Sequence, residues 1–125
     1  MKKIIVLTCC ALVCSLSYAD VLDSLRVVLK YEQDEVSRIE ILEQVARLTV
    51  TTNKEEAQSA ILEGIALAEQ NDWEEKVGLF HFLWGFKENH SKNFGEAFKQ
   101  FSIALPSFST QESSLFKATT LEYLG

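Results

Sequence analysis

Four short polar residues, each followed three positions later by a glutamate, recur along the chain and mark predicted helix starts. They are Asn53, Asp72, Asn93 and Ser109, followed by Glu56, Glu75, Glu96 and Glu112. A short polar side chain before a helix accepts a hydrogen bond from a free backbone N–H, and a glutamate in the first turn favours the positive end of the helix dipole. Between these signals apolar residues recur at helical spacing, and no stretch alternates as a strand would. The sequence therefore predicts an all-α fold. The expected helices cover residues 20–31, 36–52, 54–70, 73–91, 94–105 and 110–125.

Residues 1–19 have the three-part pattern of a secretory signal peptide. Two lysines follow Met1, residues 4–16 carry no charge, and Ser17-Tyr18-Ala19 places small residues at the positions that signal peptidase reads. A helix over 4–16 would rise about 20 Å, short of the roughly 30 Å hydrocarbon core, so no stable membrane span is expected in the mature chain. We expect cleavage after Ala19 and export to the periplasm or the medium. Two alternatives stay open, lipidation of Cys14 and a buried N-terminal helix.

Length, charge and cysteine content narrow the class of protein. The 125 residues amount to about one domain, and 12 Lys and Arg against 18 Asp and Glu give a net charge of −6. A negative chain without a basic stripe is not expected to bind nucleic acid. All three cysteines, Cys9, Cys10 and Cys14, lie in the expected signal. The mature chain would then have no disulfide, thiolate nucleophile or cysteine metal site.

A shift of forty residues aligns the second half of the chain with the first. The aligned pairs match in size class or in their place in a helix pair: Ala57 with Ala97, Ile61 with Phe101, Gly64 with Ala104, and His81, Trp84 and Gly85 with Leu121, Leu124 and Gly125. Each unit is expected to be a pair of antiparallel helices. Small residues would let the two helices approach closely, and the large residue would fill the gap between them.

The second unit resembles the tetratricopeptide repeat family. The stretch 92–105 is similar to that family's turn and second helix: Ala97 and Ala104 take its alanine places, Phe101 its buried aromatic place, and Phe94 the aromatic place after the turn. Gly85 takes the glycine place of the first helix. His81, Trp84 and Glu88 depart from the pattern, standing where Trp, Leu and Tyr are common, and the family's usual unit is 34 residues.

The resemblance implies a short α-solenoid of stacked helix pairs. Its units would cover 37–76, 77–116 and, in part, 117–125, after an N-terminal capping helix and linker at 20–36. The packing positions would be Ala57, Ile61, Gly64, His81, Trp84, Gly85, Ala97, Phe101 and Ala104. The order of a signal pattern, Asp23-Ser24-Leu25 opening a short helix, the charged stretch 34–38 and then the repeats also resembles the N-terminal module of exported bacterial tetratricopeptide sensor proteins. The expected function is therefore an exported, non-enzymatic scaffold that binds protein, with a truncated sensor of the histidine kinase or transcriptional regulator type as the alternative.

The resemblance also implies a binding groove, because one stripe of each first helix lines the concave side in that family. The stripe here consists of Ile39, Leu42, Leu79, Phe82, Phe86 and Asn89. A groove of this kind recognises an extended or helical segment of a protein, or of a second copy of the chain. The alternative is that these side chains are core, since apolar stripes at helical spacing usually are.

No catalytic, cofactor or metal site is expected. His81 and His90 lie nine residues apart, which does not bring both imidazoles to one metal on one helix face. The glutamate pairs at 55–56 and 74–75 fall in first helical turns, where the helix dipole explains them. A third class, an exported helical protein that binds or converts a small molecule, would need a polar pocket that the sequence does not indicate.

Overall fold

The computed structural model describes residues 17–108 and Glu122. Residues 17–108 form five α-helices and a short 3₁₀ helix, with no strand among them. The helices are α1 (Tyr18–Tyr31), α2 (Glu35–Thr49), α3 (Lys54–Gln70), α4 (Glu74–His90), α5 (Phe94–Ala104) and the 3₁₀ segment Leu105–Ser107. The predicted all-α class is confirmed for this part of the chain. None of its helices has the length and hydropathy needed to cross a membrane. The body of the expected signal at 1–16 and, apart from Glu122, the expected helix at 110–125 lie outside the described residues.

Polar side chains begin three of the helices. The side chains of Ser17, Asp34 and Asn53 accept hydrogen bonds from the backbone N–H three residues later, at the starts of α1, α2 and α3. Asn53 was predicted in this role and is confirmed in it. Asn93 lies at the start of α5 as predicted, but its side chain makes no cap hydrogen bond there and donates to Glu88 instead. The predicted cap at Ser109 is outside the described residues.

The prediction that Asp72 caps α4 is wrong. The residue before α4 is Trp73, and Asp72 lies in the left-handed region with φ of 58°. The N–H of Trp73 donates to the carbonyl of Ala68, and that of Asp72 to the carbonyl of Glu69, which is the Schellman arrangement at the end of α3. Asp72 therefore ends one helix rather than starting the next. Aspartate tolerates the left-handed conformation better than most residues, which explains why it can stand there without glycine.

Each helix packs against the next one along the chain, and α2 also contacts α4. Turns of three or four residues connect them, so neighbouring helices run antiparallel. The 3₁₀ segment packs on both α4 and α5. The core runs through all five helices. Its fully buried large side chains include Phe80, Phe101, Ile39, Leu42 and Ile61.

Two glycines allow α4 to approach its neighbours. A Cβ placed on Gly64 of α3 would lie within 2.6 Å of the ring of Phe80, and a Cβ on Gly85 would lie 2.7 Å from the ring of Phe101 on α5. Each aromatic ring therefore occupies the space that a side chain would otherwise take. One such contact joins α3 to α4 and the other joins α4 to α5.

Arginines hold α1 to the rest of the molecule. Arg26 of α1 donates two hydrogen bonds to the carboxylate of Glu56 on α3, at 2.7 and 2.6 Å. Arg38 of α2 reaches Glu63 on α3 at 2.6 Å and donates to the carbonyl of Leu29, in the last turn of α1, at 2.8 Å. The hydrogen bonds from Arg26 lower the pKa of Glu56. These contacts cross three helices and fix where α1 sits.

Candidate functional site

The residues predicted to pack the repeat lie at contacts between helices. Two of them, His81 and Trp84, are half-buried and stack on each other, with ring centroids 6.0 Å apart and planes 8° from parallel. The rest are buried: Ala57, Ile61, Gly64, Gly85, Ala97, Phe101 and Ala104. These side chains are occupied in holding helices together, and a partner would have to bind elsewhere.

His81 belongs to a hydrogen-bonded chain between α4 and α5. Its Nδ1 lies 2.7 Å from Oε1 of the buried Gln100, whose Nε2 donates to Glu96 at 2.8 Å. An amide oxygen only accepts, so the Nδ1–H of His81 is the donor. Gln100 is thereby satisfied at both ends. No group of three or more potential metal ligands occurs in the described part of the chain, and His81 has a structural explanation.

The six residues of the predicted groove differ in their exposure. Ile39 and Leu42 lie in the core, and Leu79 and Phe82 are also buried. Phe82 contacts the rings of Phe101 and Phe108, with centroids 5.6 and 6.4 Å away. Phe86 and Asn89 are half-buried. That the six line one groove stays a prediction, and only these last two present substantial surface to a partner.

A buried charged pair links α4 with α3 and with the turn after α4. The ammonium of Lys87 lies 2.9 Å from the carboxylate of Glu88, and their side chains are only 10% and 14% exposed. Lys87 also donates to Gln58 of α3, and Glu88 accepts from Asn93 at 2.9 Å. Every charged atom of the pair therefore has a partner, which makes its burial tolerable. Sequence reasoning did not predict this pair, because adjacent residues on a helix do not ordinarily face each other.

The environment of Glu88 predicts how the stability of the fold depends on pH. Partial burial, the largest single effect, raises the pKa of Glu88, but the hydrogen bonds from Lys87 and Asn93 and the charge of Lys87 together lower it below its ordinary value. A carboxyl whose pKa is lower in the folded protein stabilises the fold above its unfolded pKa, and the contribution is lost as pH falls through the folded pKa. Urea unfolding at pH 7 and at pH 3 should therefore show a smaller acid-induced loss of stability in Glu88→Gln than in the parent. An equal loss in both proteins would contradict this prediction.

A cleft opens where the start of α2 faces the turn between α3 and α4. It holds about 580 Å³ and is lined by Val36, Ile39 and Glu40 from α2 and by residues 72–76. We call it the Trp73 cleft, because the half-buried indole of Trp73 forms one wall. Its volume is in the range of ligand-binding clefts. A smaller cleft of about 350 Å³ lies against Trp73 as well, lined by Val77 and the 3₁₀ segment.

The rim of the Trp73 cleft is negatively charged. Glu40, Asp72, Glu74 and Glu75 line it, and none of their side chains makes a hydrogen bond or ion pair with any residue of 17–108. The one cation of the lining, Lys76, lies 3.4 Å from a carboxylate oxygen of Glu43 on α2. The helix dipole stabilises carboxylates at 74 and 75, in the first turn of α4, but not those at 40 and 72. The cleft therefore combines an apolar wall with uncompensated negative charge.

Sequence reasoning missed the Trp73 cleft. It placed Asp72 at a helix start and assigned no role to Trp73 or Val36. The helix α3 ends at Gln70, and residues 72–76 of the following turn and of the start of α4 line the cleft together with the start of α2. Val36 is apolar yet 54% exposed, and this exposure is visible in the structure and not in the sequence.

A second apolar surface lies on α5. Phe94 and Phe98, one helical turn apart, are 63% and 58% exposed. They flank the buried face of α5, which carries Ala97 and Phe101. Nothing in the described structure selects a ligand for this surface.

Compared with known proteins, the chain matches no family model, no curated protein and no solved structure. The contacts and charges of the chain itself are therefore what indicates its function.

Proposed function

We propose that this chain is an exported, non-enzymatic scaffold that binds protein, built as a short solenoid of tetratricopeptide type. The contact of α2 with α4 supports this, because stacked helix pairs bring the first helices of successive units together. Glu43 strengthens that contact by binding both Arg47 on its own helix, at 3.1 Å, and Lys76 on α4, at 3.4 Å.

The start of α1 is compatible with the proposed cleavage after Ala19. Ser17, Tyr18 and Ala19 are all exposed, and Tyr18 is among the most exposed large side chains. The first buried side chain of α1 is that of Leu22. Of the described residues, cleavage at this point would remove only the cap of α1 and about half a turn of helix, none of which is buried in the core.

The observation that carries the binding function is the Trp73 cleft. It offers an apolar wall and unpaired carboxylates at the surface, while the polar groups elsewhere between the helices are paired with each other. A concave surface that has apolar walls and a few charged groups, and that is held by rigid helices, is typical of a site that recognises a partner.

Site-specific photo-crosslinking in the organism that encodes the chain tests both the proposed export and the proposed binding of a protein. A photoreactive amino acid would replace Val36 in the cleft, Phe86 in the predicted groove, or Phe98 on α5. We expect a chain shortened by residues 1–19 in the exported fraction, and a discrete protein adduct from Val36 or Phe86 but none from Phe98. An unprocessed chain that stays inside the cell, or the absence of adducts from both test positions, would overturn the proposal.

The alternative, a sensor fragment of a longer signalling protein, draws on the exposed Phe94 and Phe98. A further helix pair would cover such a surface at the end of the second unit. Reading the genomic DNA beyond the codon for Gly125 distinguishes the two functions. An in-frame continuation with more units and a long apolar segment would favour the sensor, and a stop codon would favour the scaffold.

A further inference from the structure

We propose that the Trp73 cleft binds a basic, partly apolar peptide segment of a partner protein, with a lysine or arginine side chain lying between Trp73 and the carboxylates of the rim. The inference rests on the proposed scaffold function and names the chemistry of its partner.

The walls of the cleft favour an apolar contact. Val36 is about half exposed, Ile39 continues into the core, and Trp73 packs on the core with part of its indole remaining accessible. A segment that covers these side chains removes apolar surface from water, and that is the main favourable contribution to most protein association. The volume of about 580 Å³ admits several side chains rather than one small ion.

The rim selects the charge of the segment. Carboxylates that hold helices together elsewhere each have a basic partner, as Glu56 has Arg26 and Glu63 has Arg38. The carboxylates of the rim have none within residues 17–108, and Lys76 is drawn toward Glu43 on one side. The field in the cleft is therefore negative, which raises the local concentration of cations and repels acidic segments.

A lysine or arginine side chain satisfies both features at once. Its aliphatic stem covers apolar surface while its charged end reaches the carboxylates. A cation close to the face of an indole is also attracted by the ring, and tryptophan is the strongest of the aromatic residues in this interaction. A hydrated metal ion fits less well, because the described residues contain no group of three side chains that could hold one.

Fluorescence of Trp73 provides a direct test. The chain has two tryptophans, so Trp84→Phe leaves Trp73 as the only one. The probe is an acetylated and amidated heptapeptide of alternating leucine and lysine, and the matched control peptide has glutamine in place of lysine. We expect the lysine peptide to shift the emission of Trp73 and to bind at least about tenfold more tightly than the glutamine peptide. Its affinity should fall as salt is raised from 50 to 500 mM, because exposed charges are screened.

Substituting two glutamates, one inside and one outside the cleft, distinguishes binding at the cleft from attraction to the overall negative charge of the protein. Glu74 of the rim and Glu55 of α3 are both exposed, and each lies in the first turn of its helix. Glu74→Gln, and Glu40→Gln in addition, should weaken binding of the lysine peptide several-fold each. Glu55→Gln changes the net charge by the same amount and should leave binding unchanged.

Three outcomes would overturn this inference: equal affinity for the two peptides, equal effects of Glu74→Gln and Glu55→Gln, or binding of free spermidine as tight as that of the peptide. The last would indicate a site for small polycations. These failures differ from failure of the scaffold function. A protein adduct from Val36 or Phe86, combined with any of these three results, would leave the scaffold standing and reject the basic segment.

Discussion

Replacing Phe101 by alanine should lower the free energy of unfolding by about 3–5 kcal/mol, the range measured for large aromatic side chains in cores. Phe101 is 2% exposed, packs over Gly85 of α4 and contacts the ring of Phe82. Removing its ring leaves a cavity between α4 and α5 that a glycine on the facing helix cannot fill. A domain of this size is stable by roughly 5–15 kcal/mol, so the loss is a large part of the total.

Phe98 offers a matched control on the same helix. It is the same residue type three positions earlier and is 58% exposed. Phe98→Ala should change stability by no more than about 0.5 kcal/mol, as most surface substitutions do. Urea unfolding followed by circular dichroism measures both variants. If Phe101→Ala does not fold at all, Phe101→Leu provides a smaller truncation with the same expected sign.

The thermal midpoint gives an independent measure of the same effect. One kcal/mol corresponds to about 4–8 °C in a domain of 60–100 residues, so Phe101→Ala should melt more than about 12 °C below the parent. A midpoint within about 2 °C of the parent would show that Phe101 does not fill a packed interface. The packing of α5 on α4 would then be wrong, and so would the alignment that pairs Phe101 with Ile61.

The helices were predictable because their signals are local. The apolar spacing and the Asn53 cap placed α3 at 54–70, where the structure has it. Small and large residues at fixed spacing were enough to place Gly85 and Phe101 at packing positions. These features depend on residues within one or two turns of each other, so a single sequence carries them.

The turn between α3 and α4 was not predictable by the same means. Asp72 followed by Glu75 has the pattern of a helix start, but the backbone of Ala68 and Glu69 accepts hydrogen bonds from the turn and places Asp72 in the left-handed region. Residues such as aspartate serve both at helix starts and in left-handed positions. Which role it takes depends on the preceding helix, so the side-chain pattern alone does not decide it.

The Trp73 cleft could not be predicted from the sequence for a related reason. It is lined by Val36 and by residues 72–76, which lie more than thirty positions away in the sequence. Their proximity depends on how α2 packs against α4. The predicted groove residues were chosen by their stripe on a single helix. A stripe identifies which side chains share a face, but Ile39 and Leu42 show that the face can be covered by neighbouring helices. Exposure is decided by the whole packing arrangement.

Gly64→Ala should destabilise the protein by about 2 kcal/mol, although alanine is the better helix former. A Cβ on Gly64 would lie 2.5 Å from Cε1 and 2.6 Å from Cε2 of Phe80, a side chain with no exposed surface. Overpacking of this kind costs about 1–3 kcal/mol or more, whereas alanine recovers only about 1 kcal/mol of helix propensity. The rigid ring cannot move aside without disturbing α3 or α4.

Shortening the ring should reverse much of this loss. The atoms that clash are the distal ring atoms of Phe80, which leucine lacks, so Gly64→Ala combined with Phe80→Leu should be more stable than the sum of the two single effects predicts. We expect a coupling of about 1–2 kcal/mol in a double-mutant cycle measured by urea unfolding.

Gly95 of α5 is the control, because no atom lies within 4 Å of a Cβ built there. Gly95→Ala should stabilise the protein by up to about 1 kcal/mol. Additive effects of the first pair, or stabilisation by Gly64→Ala itself, would mean that α3 and α4 do not meet through Gly64 and Phe80.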